Sequence, residues 1–290
     1  MNHTPSITAM SARSTTVNKK YQLVAVLTLL LGLMGCSEQD YPDDDNFYPW
    51  RIGAAISYNY PAGINQAYGV NYKEDWTSVM LPYGGLLQSR YDMEKYRRYI
   101  SPDYDGYALP LGVPVNYTPF QLGSGIKSLP DELYIYWGSH GYRYATVVEV
   151  TAQIKAAMVK PYPHPKNETR NCYQTKFLFG FLPDGRAKLW LDGCLFLTYV
   201  GEYKPTKAVP VPPPEPKEKP KELTPEQIDK YGHLLFDIEI SKKPEPPKAY
   251  PRPSRDDPIP WDKVNQVWVD PDRTVQNIDD VISPTSLTNK

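Results

Sequence analysis

Cysteine and histidine are scarce here: 3 and 4 residues respectively in a chain of 290. His140, His164 and His233 stand alone, and Cys172 has no second cysteine at the spacing of a metal knuckle, so neither a metal site nor a bound cofactor is expected. Ser139 and His140 are neighbours in one turn, whereas a nucleophile and its base converge from separate elements. Gly123-Ser124-Gly125 lacks the five-residue frame of a nucleophile elbow. No catalytic residue is expected, and the chain is read as a binding protein rather than an enzyme. Charge of either sign is also missing as an excess: 32 basic against 33 acidic side chains leave a formal net charge of -1. With no basic stripe interleaved with aromatics, nucleic acid is excluded as a partner.

Proline and tyrosine are abundant, at 31 and 24 residues. That much proline exceeds what one compact globule of ordinary composition carries, so part of the length is expected to be linker. Tyrosine joins apolar area to a polar tip, which suits strand faces, sheet edges and interfaces.

Long apolar runs are absent except at 21–35, which follows Lys19-Lys20 and stops at Cys36. A basic flank, a short apolar core and a small residue before the cut describe a signal peptide over 1–35, too short to span a bilayer. Met10 is an alternative start. Leu33-Met34-Gly35-Cys36 resembles the bacterial lipobox, with Met34 where a small residue is usual. That resemblance implies lipidation of Cys36, and Ser37 after it implies export to the outer membrane. The expected address is the periplasm-facing surface of that membrane, reached through the lipid anchor. Residues 36–49, with Asp43-Asp44-Asp45, read as a solvated tether, because no glycine turn and distal glutamate complete a calcium loop.

A single β-rich domain is expected over 50–270. Ile52, Ala54 and Ile56 share a face of a first strand, 58–72 reads as turns or an irregular hairpin, and 76–81 reads as a further strand. The segment 86–100 fits an exposed helix or an ordered loop. The segment 101–128 fits a long connection or short edge strands.

Strand signals are densest over 129–203. Leu133, Ile135 and Trp137 alternate on one strand and Tyr142, Tyr144 and Thr146 on the next, with Gly138-Ser139-His140-Gly141 as the turn. Ile154, Ala157 and Met158 then take helical spacing behind Thr151 as N-cap, and Pro161 ends the run. Phe177, Phe179 and Phe181 alternate before Pro183-Asp184-Gly185, and Ala187, Leu189 and Leu191 alternate after it. With Asp184 at the centre of that hairpin, Cys172 falls near Phe196 and Cys194 near Gln174. The two cysteines then share a face one diagonal step apart. A disulfide closing a loop of roughly 20 residues would contribute up to about 3 kcal/mol; the alternative is two buried thiols.

Residues 205–222 form a proline-rich insert expected as an extended spacer, and 243–260 a proline-rich loop. Between them a short helix over 224–232 and a strand over 234–240 are expected. Val264, Val267 and Val269 pack back, and 271–290 is a frayed tail. The fold class that follows is α+β. A predominantly antiparallel β-sheet domain packs against one amphipathic helix at 152–160, on the N-terminal lipidated tether.

The order of Leu129-Pro130-Asp131-Glu132-Leu133-Tyr134-Ile135-Tyr136-Trp137-Gly138-Ser139, the helix ending at Met158, Phe177 to Gly185 with Lys188-Leu189-Trp190-Leu191, and Ile259-Pro260-Trp261-Asp262-Lys263-Val264-Asn265 resembles a bacterial lipoprotein family known as domain of unknown function 2931. The resemblance implies no catalytic residues. Some members are similar to lipoproteins encoded beside type VI secretion effectors, which implies an immunity role. A protein-binding module is therefore expected, with exposed aromatics of the 58–72 region, Tyr58 and Tyr60 among them, or the Tyr142-Tyr144 edge as candidate contacts and a secreted effector or an envelope protein as partner. The alternatives are a structural envelope lipoprotein and a surface enzyme whose carboxylates converge only in three dimensions.

Overall fold

The computed structural model describes residues 41–81, 93–112, 115–212 and 250–282. The signal peptide expected over 1–35, the lipidation expected at Cys36, and the helix and strand expected over 224–240 lie outside these residues.

Strands β1 (Arg51–Ile56), β2 (Ala62–Asn71) and β3 (Trp76–Leu81) precede helix α1 (Met93–Tyr99). Three short strands follow: β4 (Leu109–Leu111), β5 (Asn116–Tyr117) and β6 (Phe120–Gly123). Next come β7 (Glu132–Ser139), β8 (Tyr142–Glu149), helix α2 (Ala152–Val159), β9 (Tyr162–His164) and β10 (Asn167–Cys172). Strands β11 (Lys176–Phe181), β12 (Ala187–Gly193), β13 (Phe196–Tyr203) and β14 (Lys207–Pro210) complete that run. The last described elements are α3 (Trp261–Val264), β15 (Val267–Val269), β16 (Thr274–Asn277) and α4 (Ile278–Ile282).

Twelve of the strands form two six-stranded sheets, and β9 with β10 and β4 with β15 form two small two-stranded sheets. Sheet I has the order β16-β13-β12-β11-β1-β5, and sheet II the order β14-β8-β7-β2-β3-β6. Most pairings are antiparallel, and the architecture is α+β. The inner faces pack as a sandwich, with Trp137 of sheet II 4.4 Å from Phe181 of sheet I between ring centroids. Helix α2 closes one end of this core with Ile154, Ala157 and Met158. Its N-cap is Thr151, whose hydroxyl accepts from the Ile154 amide at 3.3 Å and so satisfies an otherwise orphaned helix donor.

Both expected hairpins form. The β7–β8 turn places His140 and Gly141 at φ 45° and 79°, the left-handed pair that matches strand twist in a two-residue hairpin. The β11–β12 turn uses Gly185 at φ 94°.

Strand β11 does more than its alternating phenylalanines imply. Phe177, Phe179 and Phe181 enter the sandwich, while Leu178 enters a second core on the outer face of sheet I, with Trp190, Leu109, Leu111 and Val264. Strand β1 lies parallel to β11, and both strands are buried on two sides, the usual setting for a parallel pair.

Four sequence expectations change. The segment 58–72 carries β2, a ten-residue strand between β3 and β7. A register shift between Ile64 and Gln66 breaks its alternation, and its glycines imitate turn residues. Gly69 is glycine because a Cβ there would stand 2.5 Å from the Trp50 ring. Residues 44–47, expected within a solvated tether over 36–49, are packed on the domain instead: Phe47 is fully buried against Tyr173, and the Asp44 carboxylate accepts from Asn171 Nδ2 and the Tyr173 hydroxyl, each at 2.8 Å. The start of the proline-rich insert is the edge strand β14, paired with β8 through Lys207 to Pro210. Part of the expected tail is structured as well, since β16 pairs in parallel with β13 and α4 packs on α2, Lys160 Nζ donating to the Val281 carbonyl at 2.7 Å.

Candidate functional site

In a two-layer β-sandwich the solvent side of a sheet is ordinarily polar. Sheet II departs from this. The inward positions of β7 are Leu133, Ile135 and Trp137, all fully buried, so alternation turns Tyr134 and Tyr136 outward. Register then aligns one outward row across five strands: Leu122 faces Val79, Val79 faces Tyr68, Tyr68 faces Tyr134, and Tyr134 faces Val147. Phe120 stands opposite Leu81 in the next row. Phe120 is 65% exposed, Leu122 54% and Tyr136 38%.

The tyrosines support one another. The Tyr68 ring stacks on Tyr134 at 5.0 Å and on Tyr136 at 6.3 Å. Tyr72 and Tyr134 both donate to Glu132 Oε2, and their hydroxyls lie 3.1 Å apart. The hydrogen bond to Glu132 holds the Tyr134 phenol well above its ordinary pKa. Burial against its neighbours, with a hydrogen bond to Tyr136, pushes Tyr68 up to about 12. These phenols stay neutral near pH 7 and serve as donors and stacking surfaces.

The two ends of the face carry opposite charge. At one end Glu132 lies directly across from Glu149, beside Asp131, which pairs with Lys155 at 2.5 Å. Burial alone would raise the Asp131 pKa; the bonds from Lys155 and from the Tyr72 amide outweigh it and hold the carboxyl below its usual value. At the other end Arg143, Lys207 and Val209 border a shallow pocket of about 330 Å³ reached by Tyr136.

The expected contact tyrosines are distributed differently. Tyr142 is exposed, with Arg255 over its ring at 5.6 Å. Tyr144 is buried between the sheets, donating to the Pro183 carbonyl at 3.2 Å, and β14 covers the strand edge on which it was expected to lie. Tyr60 is buried in the second core. Tyr58 is half-buried and packs on a small cluster under α1, its hydroxyl donating to the Tyr250 carbonyl at 3.3 Å. Tyr60 and Tyr144 are therefore core residues: alternation along β8 turns Tyr144 inward, and the bend between β1 and β2 carries Tyr60 into the second core. Tyr68 and Tyr72 fall within the expected 58–72 region, whereas Tyr134 and Tyr136 are not among the expected residues, although the signal is present: tyrosines occupy outward positions of β7 where charged residues are usual.

Cys172 and Cys194 form a disulfide with Cα atoms 5.6 Å apart. Among the described residues no group of three or more His, Cys, Asp and Glu side chains is placed to hold a metal ion. Among them, no helix is long and apolar enough to cross a membrane.

Over residues 37–228 the chain matches the family described as Protein of unknown function (DUF2931). The chain belongs to this family. Neither a curated protein nor a solved structure matches it. In this DUF2931 protein the matched span contains all of sheet II and therefore the whole tyrosine face.

Proposed function

We propose that this DUF2931 protein is a lipoprotein of the bacterial outer membrane, anchored through Cys36 and facing the periplasm, that binds a protein through the outer face of sheet II. The observation that carries this reading is the outward row from Leu122 to Val147, apolar and aromatic where solvent ordinarily selects polar side chains. A contiguous exposed apolar patch marks an interaction surface, and tyrosines are among the residues that dominate binding energy. The partner surface that fits is apolar at its centre, basic where it meets Glu132 and Glu149, and acidic where it meets Arg143 and Lys207. A secreted effector is the partner we infer, with the chain acting as its immunity protein.

The test is co-purification of the full chain with the effector encoded next to its gene, followed by Tyr68→Ala and Tyr136→Ala. Both side chains point away from the sandwich, so the fold should hold while affinity falls at least about 30-fold, the scale of a hot-spot loss. If neither variant weakens binding, and deleting the gene leaves cells no more sensitive to the effector, the proposal fails. Cys36→Ala should release the chain from the membrane fraction; a variant processed and fractionated like the parent would refute the anchor.

A further inference from the structure

The opposite side of the molecule carries a groove unrelated to the tyrosine face. Strand β15 pairs with β4, and β16 pairs with β13. The two strands follow one another in the chain but do not pair with each other, so they diverge and leave part of sheet I uncovered. Trp190 and Tyr199, whose ring centroids are 5.6 Å apart, form the floor. Val267 and Val269 form one wall and Val275, 45% exposed, the other. One end is closed by the turn joining the walls, where the Asp270 amide donates to the Leu111 carbonyl at 2.9 Å and the Arg273 amide to the Asp270 carbonyl at 2.9 Å. The space is about 350 Å³, within the range of small-molecule sites.

Lys188 stands in this groove. The residue is half-buried, its ammonium donates to the Asn265 carbonyl at 2.7 Å, and no carboxylate among the described residues lies within ion-pair distance of it. Glu202, the anion across the strand pair, is engaged by Arg186 at 2.7 Å. An ammonium has three donors, so Lys188 retains two. Burial pushes its pKa down, and Glu202 and Arg186 act on it in opposite directions. A cation partly withdrawn from water beside an apolar cleft favours an anionic ligand group, since a charge-assisted hydrogen bond returns what desolvation removes.

We infer that this groove binds a single-chain amphiphile with an anionic end, of the fatty-acid class, its carboxylate on Lys188 and its hydrocarbon over Trp190 between the valine walls. This site is independent of the proposed protein-binding face.

The test is photocrosslinking of the full chain with a diazirine-bearing dodecanoate, followed by peptide mapping. Labels should fall on Tyr199, Val267, Val269 or Val275, and dodecanoate should compete about tenfold better than dodecanol, the scale of a hydrogen bond to a charged group. Lys188→Met should remove that preference and leave labelling by the chain itself. Val275→Trp places bulk from an exposed position into the groove and should abolish labelling without loss of fold, checked by its circular dichroism. Labels scattered over the surface, labelling that survives Val275→Trp, or equal competition by acid and alcohol in the parent chain would each overturn the inference.

Discussion

The bridge between Cys172 and Cys194 fastens a turn that its own residues disfavour. Gly193 and Phe196 close the β12–β13 hairpin, and the two residues between them, Cys194 and Leu195, sit at φ 57° and 65°. A two-residue hairpin of this kind holds both positions in the left-handed region, which asparagine and glycine accept readily. Other L-residues pay about 1–2 kcal/mol each for that conformation. The disulfide spans 22 positions, and in the chain-entropy model a loop of that size stabilises by about 3 kcal/mol. Urea unfolding followed by circular dichroism separates the two contributions. Cys172→Ala with Cys194→Ala should lose about 3 kcal/mol. Cys172→Ala with Cys194→Asn also cannot form the bridge, yet should recover about 1 kcal/mol of that loss, because asparagine tolerates the left-handed region. Leu195→Asn in the oxidised protein should gain a similar amount, since Leu195 is 45% exposed and gives up little burial. If Ala and Asn at position 194 are equivalent, the turn is not strained as described. If removing the bridge changes nothing, loop closure is not what stabilises this region.

Three further outcomes are expected. Asp192 is buried and paired with Arg273, and it also accepts from the Tyr117 hydroxyl; Arg273→Met strands that carboxylate and should cost about 3–5 kcal/mol in urea unfolding, most of it recovered by adding Asp192→Leu. Gly69→Ala drives a Cβ into the Trp50 ring and should cost about 1–3 kcal/mol, read as a fall in Tm. Burial raises the phenol pKa of Tyr117 and Tyr104, and pushes Tyr144 up to about 12. Unfolded tyrosines ionise near 10, so their contribution is intact below pH 10 and lost as pH rises from there through about 12; a urea midpoint that stays constant across that window would contradict it.

Local signals alone were sufficient for the parts of this protein whose partners are near in sequence. The β7–β8 and β11–β12 hairpins, the Thr151-capped helix and the proximity of Cys172 to Cys194 all follow from alternation, turn chemistry and a register counted from Asp184, because each depends on residues within a single helix or hairpin. Two-sided burial was not legible. Leu178 and Trp190 look like the polar-side positions of a half-buried hairpin until β4, β15 and α3, distant in the chain, cover them. The same limit hid β2: Gly69 reads as a turn residue, and only the arrival of Trp50 explains it as a place where a side chain has no room. The tyrosines divide on this line as well. Sequence shows that Tyr134 and Tyr136 share one face of a strand and Trp137 the other, but which face meets sheet I, and which is left facing outward, is decided by long-range packing of hydrophobic area that no local pattern contains.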